Sequence, residues 1–377
     1  MTTIAELAAA EHDRLLELIR ELVAAESPSD DPAALEACAA IVARHLREAG
    51  AQVARHGTHV TGHWPGRAAG VLLLGHFDTV WPVGQIRRQP IDTRDGRLFG
   101  PGVLDMKAGL SIAIAAMRVL CAGGGADSRP SVTLLATSDE EVGSGTSRAL
   151  IEQLARQSDA VLVFEPALPG GGLKTARKGV GEFTVTATGV SSHAGGQPEL
   201  GASAITEIAH QVLALQGHAD TARGLSVNVG VIHGGTRSNV VAESARAVVD
   251  VRIARLEDAS AIEKKLRGLA ARDPRVTLTV TGGINRPPME RTAGVERLFR
   301  LAQSVASEMG QVLTEGSTGG ASDGNFSAAL GVPTLDGLGA LGDGPHAIHE
   351  HVIIKDLVPR VALAAGLIAR LGDTGIK

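Results

Sequence analysis

A histidine and an aspartate two residues apart, His76 and Asp78, follow the apolar run Val71–Leu74. Such a run is typical of a strand buried on both faces of a sheet. Residues two apart in a strand share a face, so both side chains project to the same side. A carboxylate there can orient an imidazole whose other nitrogen binds a metal. An ordinary surface loop also explains the pair, so the pair alone does not decide between a metal site and a surface loop.

More acidic side chains follow other predicted elements. Asp105 stands just before a predicted helix, where capping the helix N-terminus is the alternative role. Asp139, Glu140 and Glu141 follow a predicted strand at residues 132–136. Three adjacent carboxylates repel one another, so beside a buried strand they favour a bound cation. A solvated loop is the alternative for this group.

Glu165 ends a predicted strand, and His346 and His349 lie in a glycine-rich loop before the last predicted helix. Together, these groups place two histidines and four or five carboxylates at one edge of one sheet. Mixed imidazole and carboxylate ligands suit zinc, manganese or cobalt. Because three strong ligands hold one metal, this many groups indicates two metals bridged by a carboxylate, an arrangement that suits hydrolysis. A spare carboxylate beside a ligand can then transfer the proton.

The elements that position these residues alternate between strand and helix up to about residue 178, which predicts a mainly parallel sheet in an α/β layer. The predicted strands are 51–55, 71–74, 132–136 and 160–164, with helices at 108–120 and 146–157. After residue 286 the same character resumes, with a helix at 295–309, a strand at 332–335 and a helix at 357–371.

The pattern between these two regions differs. Strands are predicted at 182–188, 226–232, 246–253 and 275–281, with helices at 202–215 and 258–269. The order β-α-β-β-α-β is that of a ferredoxin-like unit. We therefore predict an α/β protein with a mixed, mainly parallel sheet in a discontinuous catalytic domain, residues 1–179 and 287–377. Residues 180–286 form an inserted ferredoxin-like lid or dimerisation domain.

The composition of the 377-residue chain excludes several classes. Its net charge is −5 without a basic stretch, which argues against a nucleic-acid partner. No apolar run reaches membrane-spanning length and the N-terminus lacks the pattern of a secretory signal, so we expect a cytoplasmic protein. Cys38 and Cys121 lie in or beside apolar helical patterns, which favours free thiols over a disulfide or a cysteine metal site. Tyrosine is absent, which removes one common general acid.

The chain resembles the M20 family of co-catalytic zinc peptidases and deacylases, and most closely its glutamate carboxypeptidase branch. The resemblance covers nearly the whole chain and includes the terminal element His346–Glu350. The other motifs that carry it are Gly75-His76-Phe77-Asp78-Thr79-Val80, Gly100-Pro101-Gly102-Val103-Leu104-Asp105-Met106-Lys107-Ala108-Gly109, Ser138-Asp139-Glu140-Glu141-Val142-Gly143-Ser144, Phe164-Glu165-Pro166 and Ser192-His193-Ala194-Gly195.

This resemblance implies two bound zinc ions, with cobalt or manganese as alternatives, bridged by Asp105. It implies that His76 and Glu165 complete one metal site, and that Glu141 and His346 complete the other. His349 is the alternative to His346 in the last motif, and the family pattern favours His346.

The resemblance also assigns the groups that act beside the metals. Glu140 matches the general acid and base of the family, and Asp78 matches the carboxylate that orients His76. The bridging aspartate of the family is commonly followed by a cis peptide bond, which here is the bond between Asp105 and Met106.

In the inserted domain, the resemblance implies that His193 reaches across a homodimer to stabilise the oxyanion. Asn239 and Arg252 match positions that hold the substrate carboxylate, and a guanidinium pairs two-on-two with such a group. A surface-loop histidine and a solvent-facing arginine on an alternating strand are the alternatives.

The match is imperfect at residues 174–179 and 319–323, which are expected to shape the substrate pocket. Lys174, Arg177 or Lys178 could add positive charge for an acidic side chain, so glutamate specificity stays open. The predicted function is hydrolysis of the amide bond in a small peptide or N-acyl amino acid with a free C-terminal carboxylate, preferably acidic. An N-acetyl-amino-acid deacetylase and a dipeptidase are alternatives, as is a catalytically inactive binding protein on the same fold.

Overall fold

The apolar run at residues 71–74 forms the centre of a longer strand, Arg67–His76, in the computed structural model, which describes residues 2–124 and 129–374. The described residues fall into two compact units. The first takes Met1–Ala176, Arg291–Ser317 and Ser322–Lys377, and the second takes Arg177–Glu290 with Thr318–Ala321. The predicted inserted domain, residues 180–286, lies inside the second unit.

Each predicted helix and strand is present, with ends displaced by a few residues. The α-helices of the described residues are α1 (Ile4–Ala10), α2 (His12–Ala24), α3 (Pro32–Glu48), α4 (Ala108–Gly123), α5 (Arg148–Arg156), α6 (Ala204–Gln216), α7 (Leu256–Arg267), α8 (Ala293–Glu308), α9 (Gly324–Ala329) and α10 (Ile354–Thr374). The strands are β1 (Gln52–His56), β2 (His59–Trp64), β3 (Arg67–His76), β4 (Asp92–Arg94), β5 (Arg97–Phe99), β6 (Pro130–Thr137), β7 (Ala160–Val163), β8 (Leu173–Arg177), β9 (Gly179–Thr188), β10 (Ser226–Gly234), β11 (Ser244–Ile253), β12 (Thr277–Arg286), β13 (Glu315–Thr318), β14 (Thr334–Leu335), β15 (Gly342–Asp343) and β16 (His351–Ile353).

The main sheet of the first unit has the strand order β1-β2-β6-β3-β7-β14. Strand β3 runs parallel to both β6 and β7, and β14 runs parallel to β7, whereas β1 and β2 are antiparallel. This confirms the predicted mixed, mainly parallel sheet. Strand β2 was not predicted from the sequence, because its polar residues His59 and Thr61 weaken the apolar signal although both are buried.

Helix α4 is mostly apolar, and every residue from Ala108 to Leu120 is buried, as expected for a helix enclosed by protein. It packs against α10 and α1. At its first turn, a Cβ on Gly109 would stand 1.9 Å from the carbonyl oxygen of Phe164. Only glycine permits this approach, which brings the start of α4 against the end of β7.

The second unit has a four-stranded antiparallel sheet in the order β10-β11-β9-β12. This order with two helices is the ferredoxin-like arrangement that the sequence predicted. Its own apolar core includes Phe183, Val185, Ile208 and Ile262. None of the helices in the described part of the chain combines the length and the apolar content needed to cross a membrane. Cys38 is buried and Cys121 partly buried, both as free thiols.

Candidate metal centre

Three neighbouring parallel strands bring acidic and histidine side chains to one edge of the main sheet. His76 is the last residue of β3, and Glu165 follows β7 by two residues. Glu140 and Glu141 begin a short 3₁₀ turn, Glu140–Val142, three residues after β6. Because the strands are parallel, their carboxyl ends meet at the same edge, as in other open α/β sheets that bind ligands there.

Two loops with unusual backbone complete this edge. Asp105 lies in the turn before α4, and its peptide bond to Met106 is cis, as the resemblance implied. Gly102 opens this turn with φ +69°. His346 has φ +62°, a left-handed conformation that is uncommon for a residue with a Cβ. Residues with a Cβ in the left-handed region cluster at active sites and ligand-binding segments.

Asp105 lies between the two imidazoles, with one carboxylate oxygen near each. Nε2 of His76 is 3.3 Å from Oδ1 of Asp105 and 3.6 Å from Oε1 of Glu165. Nε2 of His346 is 3.3 Å from Oδ2 of Asp105 and 3.3 Å from Oε1 of Glu141. The five residues thus form two groups that share Asp105. The ring of His349 lies against Gly344 instead.

These separations fit two metal positions. Two ligand atoms that are each about 2.1 Å from a tetrahedral zinc ion lie about 3.4 Å apart. Nε2 of His76 and Oε1 of Glu141 are buried, and neither has a hydrogen-bond partner among the described residues. Buried polar atoms are seldom left unpaired unless an ion or water satisfies them. Nitrogen and oxygen donors of this kind suit zinc, cobalt or manganese.

Glu140 also lies close to this centre. Its Oε2 is 4.0 Å from Nε2 of His76. One ligand atom each from His76, Glu140 and Glu165 lie within 4.8 Å of one another, and so do atoms from His76, Asp105 and Glu141. The structure therefore brings together all five predicted metal ligands and the predicted general base.

In the metal-free centre, the carboxylates outnumber the imidazoles, and this excess of acidic groups determines the pKa values of the histidines. Burial opposes the charged form of His76, but the surrounding carboxylates, Asp105 first, outweigh it and raise its pKa well above the usual range. Contacts with Asp105 and Glu141 raise the pKa of His346 to about 10. Burial disfavours the charged form of Asp105, yet His346 and His76 hold its pKa below the usual range. Without a metal, both imidazoles therefore carry the positive charge that divalent cations would otherwise supply.

Asp78 contacts both His76 and the glutamate turn. Its backbone carbonyl accepts the Nδ1 hydrogen bond of His76 at 3.0 Å, while its carboxylate Oδ1 lies 3.4 Å from the same atom. The carboxylate accepts the backbone N–H groups of Glu140 and Glu141, each at 3.2 Å, and the hydroxyl of Ser29 at 2.7 Å. The predicted orienting role of Asp78 thus involves its main chain, and its carboxylate also holds the turn that carries Glu140.

Three further buried charges support the centre and were not singled out in the sequence analysis. Nζ of Lys107 donates to the carbonyls of Leu22 and Ala25 at the end of α2, at 2.8 and 2.9 Å. Asp323 accepts the Thr137 hydroxyl at 3.0 Å. Glu350 accepts the backbone N–H of Asp105 at 3.0 Å. Lys107 and Glu350 lie within the motifs of the family resemblance, and this was the only feature of the sequence that pointed to them.

The predicted substrate residues His193, Asn239 and Arg252 all lie in the second unit. Nδ1 of His193 accepts the backbone N–H groups of Gly195 and Gly196 at 3.1 and 3.0 Å. This nitrogen is therefore the acceptor, and a neutral ring carries its proton on Nε2, where it can donate.

Asn239 and Arg252 have local partners. The backbone carbonyl of Asn239 accepts the N–H of Ala194 at 3.1 Å, which joins the Asn239 and His193 loops. Nε and Nη2 of Arg252 donate to the Asp250 carboxylate at 2.8 to 3.1 Å. Asp250 and Arg252 share one face of β11 because side chains in a strand alternate with period two.

The three candidate cations near the divergent segments differ in their surroundings. Nη1 of Arg177 donates to the carbonyls of Gly320 and Ala321 at 3.1 and 3.3 Å, so this guanidinium supports a loop of its own unit. Lys174 is buried, whereas Lys178 is half-buried. These contacts do not identify which of the three residues would bind an acidic side chain of the substrate.

Comparisons with known proteins identify the family of the chain. The sequence model of Peptidase family M20/M25/M40 matches residues 72–370. Carboxypeptidase G2 of Pseudomonas sp. (strain RS-16) is 32% identical over 96% of this chain and 90% of its own length. A succinyl-diaminopimelate desuccinylase of Paracidovorax citrulli (strain AAC00-1) is 30% identical over 80% of this chain and 82% of its own.

Solved structures share the fold. Aminopeptidase PepT from Bacillus cereus ATCC 10987 has a TM-score of 0.79 at 22% identity, covering 96% of this chain and 98% of that one. The YXEP protein of Bacillus subtilis, a dinuclear metal binding peptidase from the M20 family, has a TM-score of 0.73 at 16% identity, covering 97% and 99%. The chain belongs to peptidase family M20/M25/M40, and it is a metallopeptidase or amidohydrolase of that family.

Proposed function

We propose that this protein is a dizinc-dependent hydrolase that cleaves the amide bond of small peptides or N-acyl amino acids with a free C-terminal carboxylate, in the manner of a glutamate carboxypeptidase. The observation that carries the proposal is the position of Asp105, whose two oxygens each lie 3.3 Å from a different imidazole. The name and 32% identity of carboxypeptidase G2 support the substrate class.

In this proposal, one metal is held by His76, Glu165 and Asp105, and the other by Glu141, His346 and Asp105. Two zinc ions held there would act as Lewis acids toward both the attacking water and the amide carbonyl. Cobalt and manganese are alternatives for the same donor set.

Glu140 is the carboxylate that neither ligand set requires, and we assign it the proton transfers. It would take a proton from the attacking water and give it to the leaving nitrogen, as a general base and then a general acid. The Asp78 carboxylate fixes the backbone of Glu140 at 3.2 Å and so limits the positions that this side chain can adopt.

The second unit supplies the substrate contacts in this proposal. His193 has an Nε2 proton available to stabilise the developing oxyanion, since its Nδ1 is occupied by two backbone N–H groups. The His193 that acts on a given metal centre would come from the partner subunit of a homodimer. Arg252 and Asn239 would bind the free carboxylate of the substrate.

The succinyl-diaminopimelate desuccinylase relative keeps N-acyl-amino-acid deacylation as the alternative. An inactive binding protein is not favoured, because every ligand type and Glu140 are present.

A substrate panel tests the proposal. Purified protein is loaded with zinc, cobalt or manganese and given N-benzoylglutamate, N-acetylornithine, succinyl-diaminopimelate and a neutral dipeptide. We expect glutamate release from the benzoyl substrate to have the highest kcat/KM. Faster release of acetate or succinate would establish the deacylase alternative, and faster cleavage of the neutral dipeptide would establish a dipeptidase.

A further inference from the structure

Glu350 is a fully buried carboxylate four residues after His346, and it does not belong to either metal group. It immediately precedes β16, which pairs with β5 so that His351 lies opposite Phe99. This pairing brings residue 350 beside the turn before α4. An antiparallel ladder therefore delivers a buried negative charge to the segment that carries Asp105.

Both oxygens of Glu350 are filled by donors. Oε1 accepts the backbone N–H groups of Leu104 and Asp105 at 2.9 and 3.0 Å. Oε2 accepts the backbone N–H of Gly102 at 2.9 Å and Nε1–H of Trp81 at 3.2 Å. Every partner is a donor, so only a group with acceptors at both ends satisfies them all. A glutamine would turn its own NH₂ toward two of these donors.

The turn needs this acceptor because its backbone is not helical. Asp105 has φ −113° and ψ 95°, and Met106 has φ −130° and ψ 37°. Buried N–H groups without partners are costly, and hydrogen bonds to a carboxylate are stronger than neutral ones. Glu350 thus stabilises the backbone arrangement in which the carboxylate oxygens of Asp105 face two different imidazoles.

The same side chain connects the two loops that meet at one metal position. Glu350 and His346 belong to one short loop, and Glu350 bonds the N–H of Asp105 from 245 residues away. The ligand atoms of Asp105 and His346 are 3.3 Å apart. A change in the Glu350 contacts would move these two ligands relative to each other, whereas His76 ends strand β3 and Glu165 follows strand β7 by two residues.

We propose that Glu350 is a positioning residue that forms the metal site of Asp105, Glu141 and His346 before any metal binds. Its buried charge holds the Asp105 turn and the His346 loop at the separation that one ion requires. The inference rests on the metal centre of the proposed function but not on the identity of the substrate.

A matched control exists in the second unit. Glu207 is also a buried glutamate, and its Oε2 accepts the backbone N–H groups of Arg272 and Asp273 at 3.0 and 3.4 Å. Its Oε1 accepts Nε2–H of Gln211. Like Glu350, Glu207 accepts hydrogen bonds at both oxygens, here from three donors, but no predicted metal ligand is among these partners. A loss of general stability would therefore follow from substitution of either residue.

The experiment compares Glu350→Gln and Glu207→Gln with the wild type. Metal-free protein is titrated with Co²⁺, and each binding step is followed by visible absorption and by competition with a chelator. We expect Glu350→Gln to weaken one of the two steps by about 10- to 100-fold and to leave the other within a few-fold. Glu207→Gln should leave both steps unchanged even where it lowers the melting temperature. Wild-type affinities in Glu350→Gln, or equal weakening by both variants, would overturn the proposal.

A second measurement needs no variant and holds even if Glu350→Gln does not fold. Hydrogen–deuterium exchange of the metal-free wild type reports the N–H groups of Gly102, Leu104 and Asp105. We expect them to be protected without metal, because Glu350 already binds them. Exchange at the rate of an unfolded chain, with protection only after metal addition, would show that the metal forms the turn and would refute the proposal.

The outcome is separable from the proposed activity. Neither cobalt binding nor amide exchange requires a substrate, so a protein that cleaves no N-acylglutamate can still lose one metal step in Glu350→Gln. Conversely, an active carboxypeptidase whose Glu350→Gln variant binds two Co²⁺ ions normally would retain its function and refute the positioning role. Excess metal should also restore the rate of Glu350→Gln, because it refills the weakened site.

Discussion

His76 donates its Nδ1 hydrogen bond to the backbone carbonyl of Asp78 at 3.0 Å, and the Asp78 carboxylate is farther away, at 3.4 Å. A main-chain partner survives substitution of the Asp78 side chain. The carboxylate instead makes its shortest backbone contacts with the N–H groups of Glu140 and Glu141. Orientation of the imidazole and positioning of the glutamate turn are therefore two separable tasks of one residue.

We expect Asp78→Asn to lower kcat by about 10- to 100-fold and to change metal affinity little. The amide keeps one acceptor but turns an NH₂ group toward a backbone N–H, so the Glu140 turn loses a partner while the carbonyl still holds His76. Steady-state kinetics at saturating metal and a chelator titration measure the two effects. Loss of one bound metal with an unchanged kcat at high metal would instead assign the carboxylate to His76.

Glu140→Gln should lower kcat by about 100- to 10,000-fold, because an amide cannot accept and return the proton. Metal content should remain at two ions for each chain, since Glu140 is not needed in either ligand set. Glu152→Gln, which alters a glutamate of the same unit paired with Arg148 at the surface, is the control and should stay at the wild-type rate. A Glu140→Gln enzyme with the wild-type kcat would refute the proposed mechanism.

Metal affinity should rise as pH increases toward about 10. The pKa of His346 is about 10 in the metal-free protein, so at pH 7 a binding metal must displace its proton. Calorimetry in buffers of different ionisation heat should show proton release at pH 7. His346→Asn should release about one proton fewer, and identical release by both proteins would contradict this assignment.

The same shift makes the metal-free fold sensitive to pH. Because the pKa of His346 is higher in the folded state than its ordinary value of 6.5, its contribution to stability is complete below pH 6.5 and is lost as pH rises toward 10. Melting curves of metal-free wild type and His346→Asn should therefore differ most at pH 6 and converge at pH 10. A difference in melting temperature that grows with pH would contradict the expected loss of His346 stabilisation at high pH.

Periodicity predicted most of the fold and the edge of the sheet where the acidic and histidine side chains meet, whereas the assignment of each metal ligand came from the family resemblance of the motifs. The run before His76 identified β3, and a parallel sheet then placed Glu165 and the Glu140 turn at one edge. The contact between Glu350 and Asp105 spans 245 residues, and no local pattern encodes such a partner. Strand β2 was missed because its buried residues are partly polar.

The glycine at the start of α4 is expected to control both stability and the Glu165 site. In Gly109→Ala, the new methyl group meets the Phe164 carbonyl at 1.9 Å, so the helix or the end of β7 must shift. We expect a loss of about 1–3 kcal/mol in the free energy of unfolding, together with weaker metal binding. Gly145→Ala is the matched control, because a Cβ there meets nothing within 4 Å. Equal stability of the two variants would contradict the steric argument.

Arg252 and Asp250 are paired on one face of β11. In the proposed function, the substrate carboxylate therefore competes with Asp250 for the guanidinium. Arg252→Lys loses the planar fork and should raise KM about 10-fold or more with little change in kcat, since a charged hydrogen bond contributes about 1.5–3 kcal/mol. Asp250→Asn removes the competing charge and should lower KM. Substrates with an amidated C-terminus are the control and should respond to neither change. A higher KM in Asp250→Asn would mean that Asp250 orients the guanidinium for the substrate and does not compete with it.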